Sequence, residues 1–90
     1  MELRGTLSSA QTPAAPGALQ ASALSSNTVA LTWQDLSDNE QGFAIERRDG
    51  AGAWSEIGRV GANVAAYDDL TVHANSNYTY RARAYNAAGY

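Results

Sequence analysis

Residues 78–85 carry the most regular alternation of side chains in the chain. One set contains Tyr78, Tyr80, Ala82 and Ala84, and the other contains Thr79, Arg81, Arg83 and Tyr85. A period of two is that of a β-strand, in which successive side chains point to opposite faces. A helix would scatter these aromatic residues and arginines around its whole circumference. The pattern therefore predicts a central strand with the Tyr78 set in the core and the Arg81 set in water.

Further segments show the same period. In residues 28–34, Val29, Leu31 and Trp33 point one way, and in residues 42–48 Phe43, Ile45 and Arg47 share a face. The other strands that we predict are residues 18–24, 53–60 and 64–67. Short strands at a spacing of roughly ten residues, with turn residues between them and no helical pattern, favour an antiparallel β-sandwich.

The first residues form a separate unit. Residues 2–7 are a weaker strand candidate with Leu3, Gly5 and Leu7 on one side. Residues 8–17 are small, polar and proline-bearing, which is typical of an extended linker.

Composition limits the classes of function. The chain has 90 residues, which predicts one domain, and it contains no cysteine. The formal net charge is −3, and all six basic residues are arginines. A nucleic-acid partner is not expected because it would require a clustered basic face. No run of eighteen or more apolar residues occurs, so we expect no membrane span.

Three groups of polar residues could carry chemistry. The loop residues Asp35, Asp38, Asn39 and Glu40 bring together oxygen atoms of the kind that calcium prefers, but their spacing lacks the EF-hand pattern. A solvated loop with aspartate-capped turns is the interpretation that we prefer. His73 has no partner that would frame a nucleophile, and adjacent Asp68 and Asp69 face opposite ways on a strand. We therefore expect no enzyme activity, no cofactor and no metal.

Two surface features remain. Trp54 begins a predicted strand, where it could stack on a sugar ring or pack at the sheet edge. Arg81 and Arg83 share a face, where they could pair with Glu46 across strands or contact acidic sugars.

From about Pro16 to Tyr90 the chain resembles a fibronectin type III domain of the bacterial extracellular kind. The resemblance rests on Pro16, Val29-x-Leu31-x-Trp33, residues 39–47, Trp54, Tyr67-x-Asp69, Val72 six residues before Tyr78, and the pattern of residues 78–89. It implies an all-β, immunoglobulin-like sandwich of two antiparallel sheets with Trp33 between them. Strands one, two and five would form one sheet, and strands three, four, six and seven the other. Tyr78 would be the tyrosine corner, with its hydroxyl bonded to backbone near residues 72–75.

In this family a seventh strand pairs with the sixth, but the sequence ends at Tyr90. We therefore expect an open edge on residues 78–85. Residues 2–7 look like such a seventh strand, so the predicted division is 1–7 (a donated or permuted strand), 8–17 (linker) and 18–90 (domain).

Two arrangements would fill the edge. Residues 2–7 could fold back onto their own domain, for which the ten linker residues reach about 33–36 Å. They could instead complete a neighbouring copy, as in donor-strand complementation, and so build a filament. A third interpretation is that the domain boundary lies elsewhere.

The expected function is a non-catalytic extracellular structural module, a repeat unit of a tandem array or filament. The assembly residues would be Leu3, Gly5, Leu7, Tyr78, Tyr80, Ala82 and Ala84, with neighbouring copies as partners. The alternative is an accessory linker or weak glycan-binding module of a secreted carbohydrate-active enzyme. Trp54, Arg81 and Arg83 would then contact a polysaccharide.

Overall fold

The computed structural model describes residues 11–90, in which six β-strands form two sheets. The strands are β1 (Gly17–Ser25), β2 (Thr28–Gln34), β3 (Gly42–Asp49), β4 (Ser55–Gly61), β5 (Ala66–Asp69) and β6 (Tyr78–Tyr85). Residues 2–7, including Leu3, Gly5 and Leu7, lie outside the described residues, so a strand there stays a prediction. Within residues 11–90 the structure has no helix of the length and apolarity that crossing a membrane requires.

The two sheets have the strand orders β1-β2-β5 and β4-β3-β6, and every pairing between strands is antiparallel. The all-β sandwich is therefore confirmed, as is the assignment of these six strands to the two sheets. Strand β6 pairs with β3 along its full length, from Tyr78 opposite Asp49 to Tyr85 opposite Gly42.

Strands β4 and β5 each begin two residues later than predicted. Strand β5 begins at Ala66 rather than Val64, because the chain is still turning there. Asn63 has a positive φ of 63°, and the Val64 N–H donates to the Gly61 carbonyl oxygen over 3.4 Å. Strand β4 begins at Ser55, so that Trp54 lies just before it. The pairing of β3 with β4 shifts register between Ile45 and Glu46, which alters the alternation near this end.

The core lies where the inner faces of β2, β3 and β6 meet. The buried cluster consists of Leu31, Trp33, Phe43, Ile45 and Ala84. The rings of Trp33 and Phe43 pack with a centroid distance of 5.6 Å and an angle of 57° between their planes. Such tilted aromatic packing adds roughly 0.5–1.5 kcal/mol to the burial itself. The alternation in the sequence identified all five positions.

Tyr78 occupies the tyrosine corner that the resemblance implied. Its hydroxyl oxygen accepts a hydrogen bond of 2.9 Å from the backbone N–H of His73. Val72, just before, is buried. The bond fixes the connection between the two sheets to the first residue of β6.

Candidate functional site: the open edge of strand β6

Strand β6 is an edge strand within the described part of the chain. It pairs with β3 on one side, and no strand of residues 11–90 pairs with its other side. An unpaired edge of eight residues exposes a row of backbone donors and acceptors to which another strand can bond. The four predicted assembly residues in this strand, Tyr78, Tyr80, Ala82 and Ala84, therefore lie along an accessible edge.

The backbone hydrogen bonds at the two ends of β6 show which residues face this edge. The Asn77 carbonyl accepts from the Gly50 N–H over 2.9 Å, and the Tyr85 carbonyl accepts from the Gln41 N–H over 2.7 Å. In an antiparallel pair, alternate residues direct their N–H and C=O groups toward the same neighbour. The odd-numbered residues of β6 are thus bonded to β3. The backbone groups of Tyr78, Tyr80, Ala82 and Ala84 point toward the open edge.

Beside this edge the core is incompletely covered. Ala21 and Ala23 of β1 lie opposite Leu31 and Val29, so they belong to the inner face of their sheet, yet both are exposed. Together with Val29, Tyr78 and Tyr80 they line a cleft of about 300 Å³. By contrast, Leu31 on the next strand is only 1% exposed. The gap between β1 and β6 therefore leaves apolar surface open to solvent.

A second apolar cleft lies at the other end of the same strand. Its volume is about 270 Å³, and its lining includes Pro13, Ala15, Ala82, Ala84 and Tyr90. Pro13 itself is buried, although it belongs to the segment predicted as linker. We call these two clefts and the β6 edge between them the edge groove.

The start of the described chain is held at the Asn86 end of this groove. The side-chain amide of Asn86 donates to the Gln11 carbonyl oxygen over 2.8 Å, and that of Asn39 donates to the same oxygen over 3.3 Å. Asn86 also forms an isolated β-bridge with Gly89. Gln11 therefore lies just beyond the last residue of β6.

A buried ionic network, which sequence reasoning missed, holds Tyr80 in the groove. Asp69 is 1% exposed, and its carboxylate accepts hydrogen bonds from the Tyr80 hydroxyl (2.8 Å) and from Arg47 Nη1 (3.0 Å). The hydroxyl and the backbone N–H of Thr71 donate to the same carboxylate. The network joins β5 of one sheet to β3 and β6 of the other. The sequence did contain a signal for this network. Arg47 shares a predicted strand face with Phe43 and Ile45, and Asp69 lies two residues after Tyr67, on the same face of its strand.

The network also changes acid–base behaviour. Burial by itself raises the pKa of Asp69, but the hydrogen bonds from Thr71, Tyr80 and Arg47 outweigh it and hold that pKa below its usual value. Burial and the neighbouring carboxylate raise the pKa of Tyr80. The carboxylate is therefore ionised and the phenol is protonated at neutral pH.

The outer face of the β4-β3-β6 sheet brings together the predicted glycan contacts. The Arg81 guanidinium lies 4.4 Å from the centre of the Trp54 ring, and that of Arg48 lies 4.9 Å from it. Arg81 also pairs with Glu46, which lies 3.7 Å from Arg83. The predicted pairing of both arginines with Glu46 is confirmed. Trp54 is partly buried beneath cations, so its ring is not freely available to stack on a neutral sugar.

The other candidate residues have structural partners. Asp35 accepts from the N–H of Ser37 over 3.1 Å, which confirms the predicted aspartate-capped turn. Glu40 accepts from the Asn63 N–H over 3.0 Å. Burial by itself raises the pKa of Glu40, but the hydrogen bonds to its carboxylate outweigh it and lower that pKa. Across residues 11–90, no three His, Asp or Glu side chains are grouped closely enough to hold a metal ion.

Comparison with solved structures identifies the fold. The chain superposes on the FN1–FN3 domains of chicken CNTN1 with a TM-score of 0.76 and 20% identity over 89% of its length. It spans 29% of that longer chain. The FN3 domain of human collagen XX gives a TM-score of 0.68 and 18% identity, covering 82% of this chain and 77% of that one.

A structure described as a myokine gives a TM-score of 0.71 and 22% identity, covering 86% of this chain and 84% of that one. No protein-family model matches the chain, and no curated protein matches it in sequence. The fold is therefore that of a fibronectin type III domain, as the sequence resemblance implied.

Proposed function

We propose that this chain is a non-catalytic structural module of an extracellular array, and that copies assemble when residues 2–7 of one copy occupy the edge groove of the next. The observation that carries the proposal is the apolar groove beside an eight-residue edge whose outward backbone groups have no strand partner within residues 11–90. Addition of a strand to such an edge is a recurring mode of recognition. Main-chain hydrogen bonds provide affinity, and side-chain pockets provide specificity.

The anchored position of Gln11 favours donation between copies over closure within one chain. A seventh strand antiparallel to β6 would place Leu7 near Tyr78, about 26 Å from Asn86 at about 3.3 Å per residue. The four residue-to-residue steps from Leu7 to Gln11 span at most about 14 Å. The full length of the ten linker residues is therefore not free for closure within one chain, because Gln11 is already held beside Asn86. A strand in the antiparallel orientation has to come from another copy.

The geometry of donation determines the form of the assembly. The donor segment precedes Gln11, whereas the groove lies along the β6 edge of a different copy, so the contact is heterologous. A head-to-tail contact of this kind builds a filament unless the rotation between copies closes a ring. The module would then act as both spacer and connector.

Two proline substitutions test whether the edge of β6 is the assembly surface. Ala82 directs its N–H toward the open edge, so Ala82→Pro should retain the fold but abolish assembly. Arg83 directs its N–H toward Ala44 of β3, so Arg83→Pro should cost at least about 1–3 kcal/mol of unfolding free energy through a carbonyl left without its donor. Light scattering gives the oligomeric state, and chemical denaturation gives the stability.

The control for the second variant is Arg83→Ala, which removes the charge but keeps the backbone N–H. Electron microscopy of the unmodified protein should show filaments or rings. A protein that stays monomeric at every concentration would refute the proposal. An Ala82→Pro protein that still assembles would show that copies meet at a different surface.

A second candidate function is binding of an acidic polysaccharide to the outer face of the β4-β3-β6 sheet. The observation that favours it is the gathering of Arg48, Arg81 and Arg83 around Trp54 and Tyr90, with the Arg83 guanidinium 3.6 Å from the Tyr90 ring centre. Cations held over aromatic rings suit carboxylate or sulfate groups better than neutral sugars.

Titration with a uronate-containing polysaccharide tests this candidate. We expect shifts in the Trp54 indole N–H resonance that weaken as salt rises, because exposed charge pairs are screened. A neutral polysaccharide of similar length is the control and should cause no shift. Equal responses to the two polymers, or none to either, would eliminate the acidic-polysaccharide function.

A further inference from the structure

We infer a specific register for the donated strand, which rests on the proposed function: Gly5 lies opposite Tyr80, Leu3 opposite Ala82 and Leu7 opposite Tyr78 of the accepting copy. The register follows from the direction of the β6 backbone groups, the spacing of the two clefts and the sizes of the facing side chains.

The alternation of side chains between the two faces of the sheet restricts the possible registers first. Side chains directly opposite each other in an antiparallel pair lie on the same face of the sheet. Leu3, Gly5 and Leu7 form the apolar side of the donor, so they must face the even-numbered residues of β6, which form its inner side. A slip of one residue would put both leucines into water. Only registers that differ by two residues remain.

The spacing of the clefts matches that of the two leucines. One cleft is lined by Ala82 and Ala84, and the other by Tyr78 and Tyr80. Ala82 and Tyr78 are four positions apart, as are Leu3 and Leu7, which is about 13 Å along either strand. One donor strand can therefore fill both clefts with its two leucines.

The sizes of the facing residues select one register. Opposite Tyr80, Gly5 leaves room for a ring that its hydrogen bond to Asp69 holds in place. Leu3 then fills the space beside the small Ala82. Shifted by two residues in one direction, Gly5 would face Ala82 and leave a void, while Leu7 would crowd Tyr80. Shifted in the other direction, Leu3 would crowd Tyr80 and Leu7 would lie beyond the start of β6. Both a void and overpacking reduce stability.

The outward side of the donor agrees with this choice. In the same register Glu2 lies opposite Arg83, Arg4 lies opposite Arg81, and Thr6 lies opposite Thr79. An opposite-charge pair directly across two strands is favourable by roughly 0.2–1 kcal/mol. In the register shifted by two residues, Arg4 would face Arg83 and Glu2 would face Tyr85 instead of an arginine, so only the chosen register offsets the arginine pair with an opposite-charge pair.

Paired cysteines give a direct test, because the chain has no cysteine of its own. Odd-numbered residues of β6 would form non-hydrogen-bonded pairs with the donor, with Cα atoms about 4.5 Å apart. That separation is within the range for a disulfide. We expect oxidised Thr6→Cys/Thr79→Cys protein to form a ladder of cross-linked multimers on a non-reducing gel. The matched variant Thr6→Cys/Arg81→Cys should remain largely monomeric.

The outcomes separate the register from the proposed function. A ladder from Thr6→Cys/Arg81→Cys instead would overturn the register but keep donation between copies. No ladder from either variant, with a monomeric protein in light scattering, would overturn both. A cross-link confined to single chains would show that residues 2–7 close their own domain.

Discussion

Replacing Leu3 and Leu7 together by aspartate should dissolve the assembly into monomers. Burial of a leucine side chain is worth about 1.5–3 kcal/mol. Loss of both should weaken association by about 3–6 kcal/mol, a factor of roughly 10² to 10⁴ in Kd. The aspartates would add a desolvation cost in the groove. Light scattering over a range of concentrations measures the change, and the thermal midpoint of the monomer should stay close to that of residues 11–90 alone, which keep the contacts of Gln11 and Pro13.

The matched control carries two leucine-to-aspartate changes away from the groove. Leu24 and Leu70 are 63% and 67% exposed, so Leu24→Asp with Leu70→Asp changes charge and hydrophobicity equally without touching the clefts. This control should assemble like the unmodified protein. If both double variants assemble alike, residues 2–7 do not provide the donated strand.

Much of the fold could be predicted because alternation reports local geometry. Leu31 and Trp33, Phe43 and Ile45, and Ala84 lie in the core because a strand between two sheets must bury every second residue. The same period predicted the outer face of β6. The alternation depends only on the position of each residue within its own strand, which can be read from the sequence.

The features that escaped prediction depend on contacts between distant segments. Trp54 lies beneath Arg48 of β3 and Arg81 of β6, and the register of β3 and β4 shifts between Ile45 and Glu46, neither of which a local pattern shows. The exposure of Ala21 on an inner face likewise depends on what covers it from the opposite sheet. The family resemblance led us to expect an open edge on β6, whereas no pattern in the sequence predicted the groove beside it.

The position of Gln11 changed the interpretation of the first residues. From the sequence alone, residues 8–17 appeared as ten free linker residues. The hydrogen bonds from Asn39 and Asn86 to the Gln11 carbonyl instead fix this point beside the end of β6. This position supports the proposed donation, because closure within one chain in the antiparallel orientation would require the steps from Leu7 to Gln11 to cross more than their full length.

Asp69→Ala should be the most destabilising of single substitutions in this network. It removes the acceptor of four hydrogen bonds and leaves the Arg47 guanidinium, whose side chain is 17% exposed, without its buried partner. Breaking a buried pair from one side costs about 3–5 kcal/mol. Chemical denaturation, followed by the fluorescence of buried Trp33, gives the unfolding free energy. Because Tyr80 would lose the hydrogen bond that holds its ring, binding of the donated strand to the edge groove should weaken as well.

The matched control is Glu56→Ala, which breaks an ion pair with Arg59 whose side chains are 37% and 48% exposed. An exposed pair contributes about 0–1 kcal/mol, so this variant should lose little stability. If Asp69→Ala unfolds the protein completely, Asp69→Asn keeps the shape and still permits a measurement. Equal losses in the Asp69 and Glu56 variants would show that the buried network does not hold the two sheets together.

The Asp69 carboxylate should make the unfolding free energy depend on pH in the acid range. The pKa of Asp69 is lower in the folded protein than in the unfolded chain, where an aspartate titrates near 3.9. The unfolded state therefore binds the proton more readily, and the stability from this group is present above about pH 4. It is lost as pH falls through the lower, folded pKa. Denaturation at successive pH values should show a shallower acid loss for Asp69→Asn than for the unmodified protein, and parallel curves would contradict this assignment.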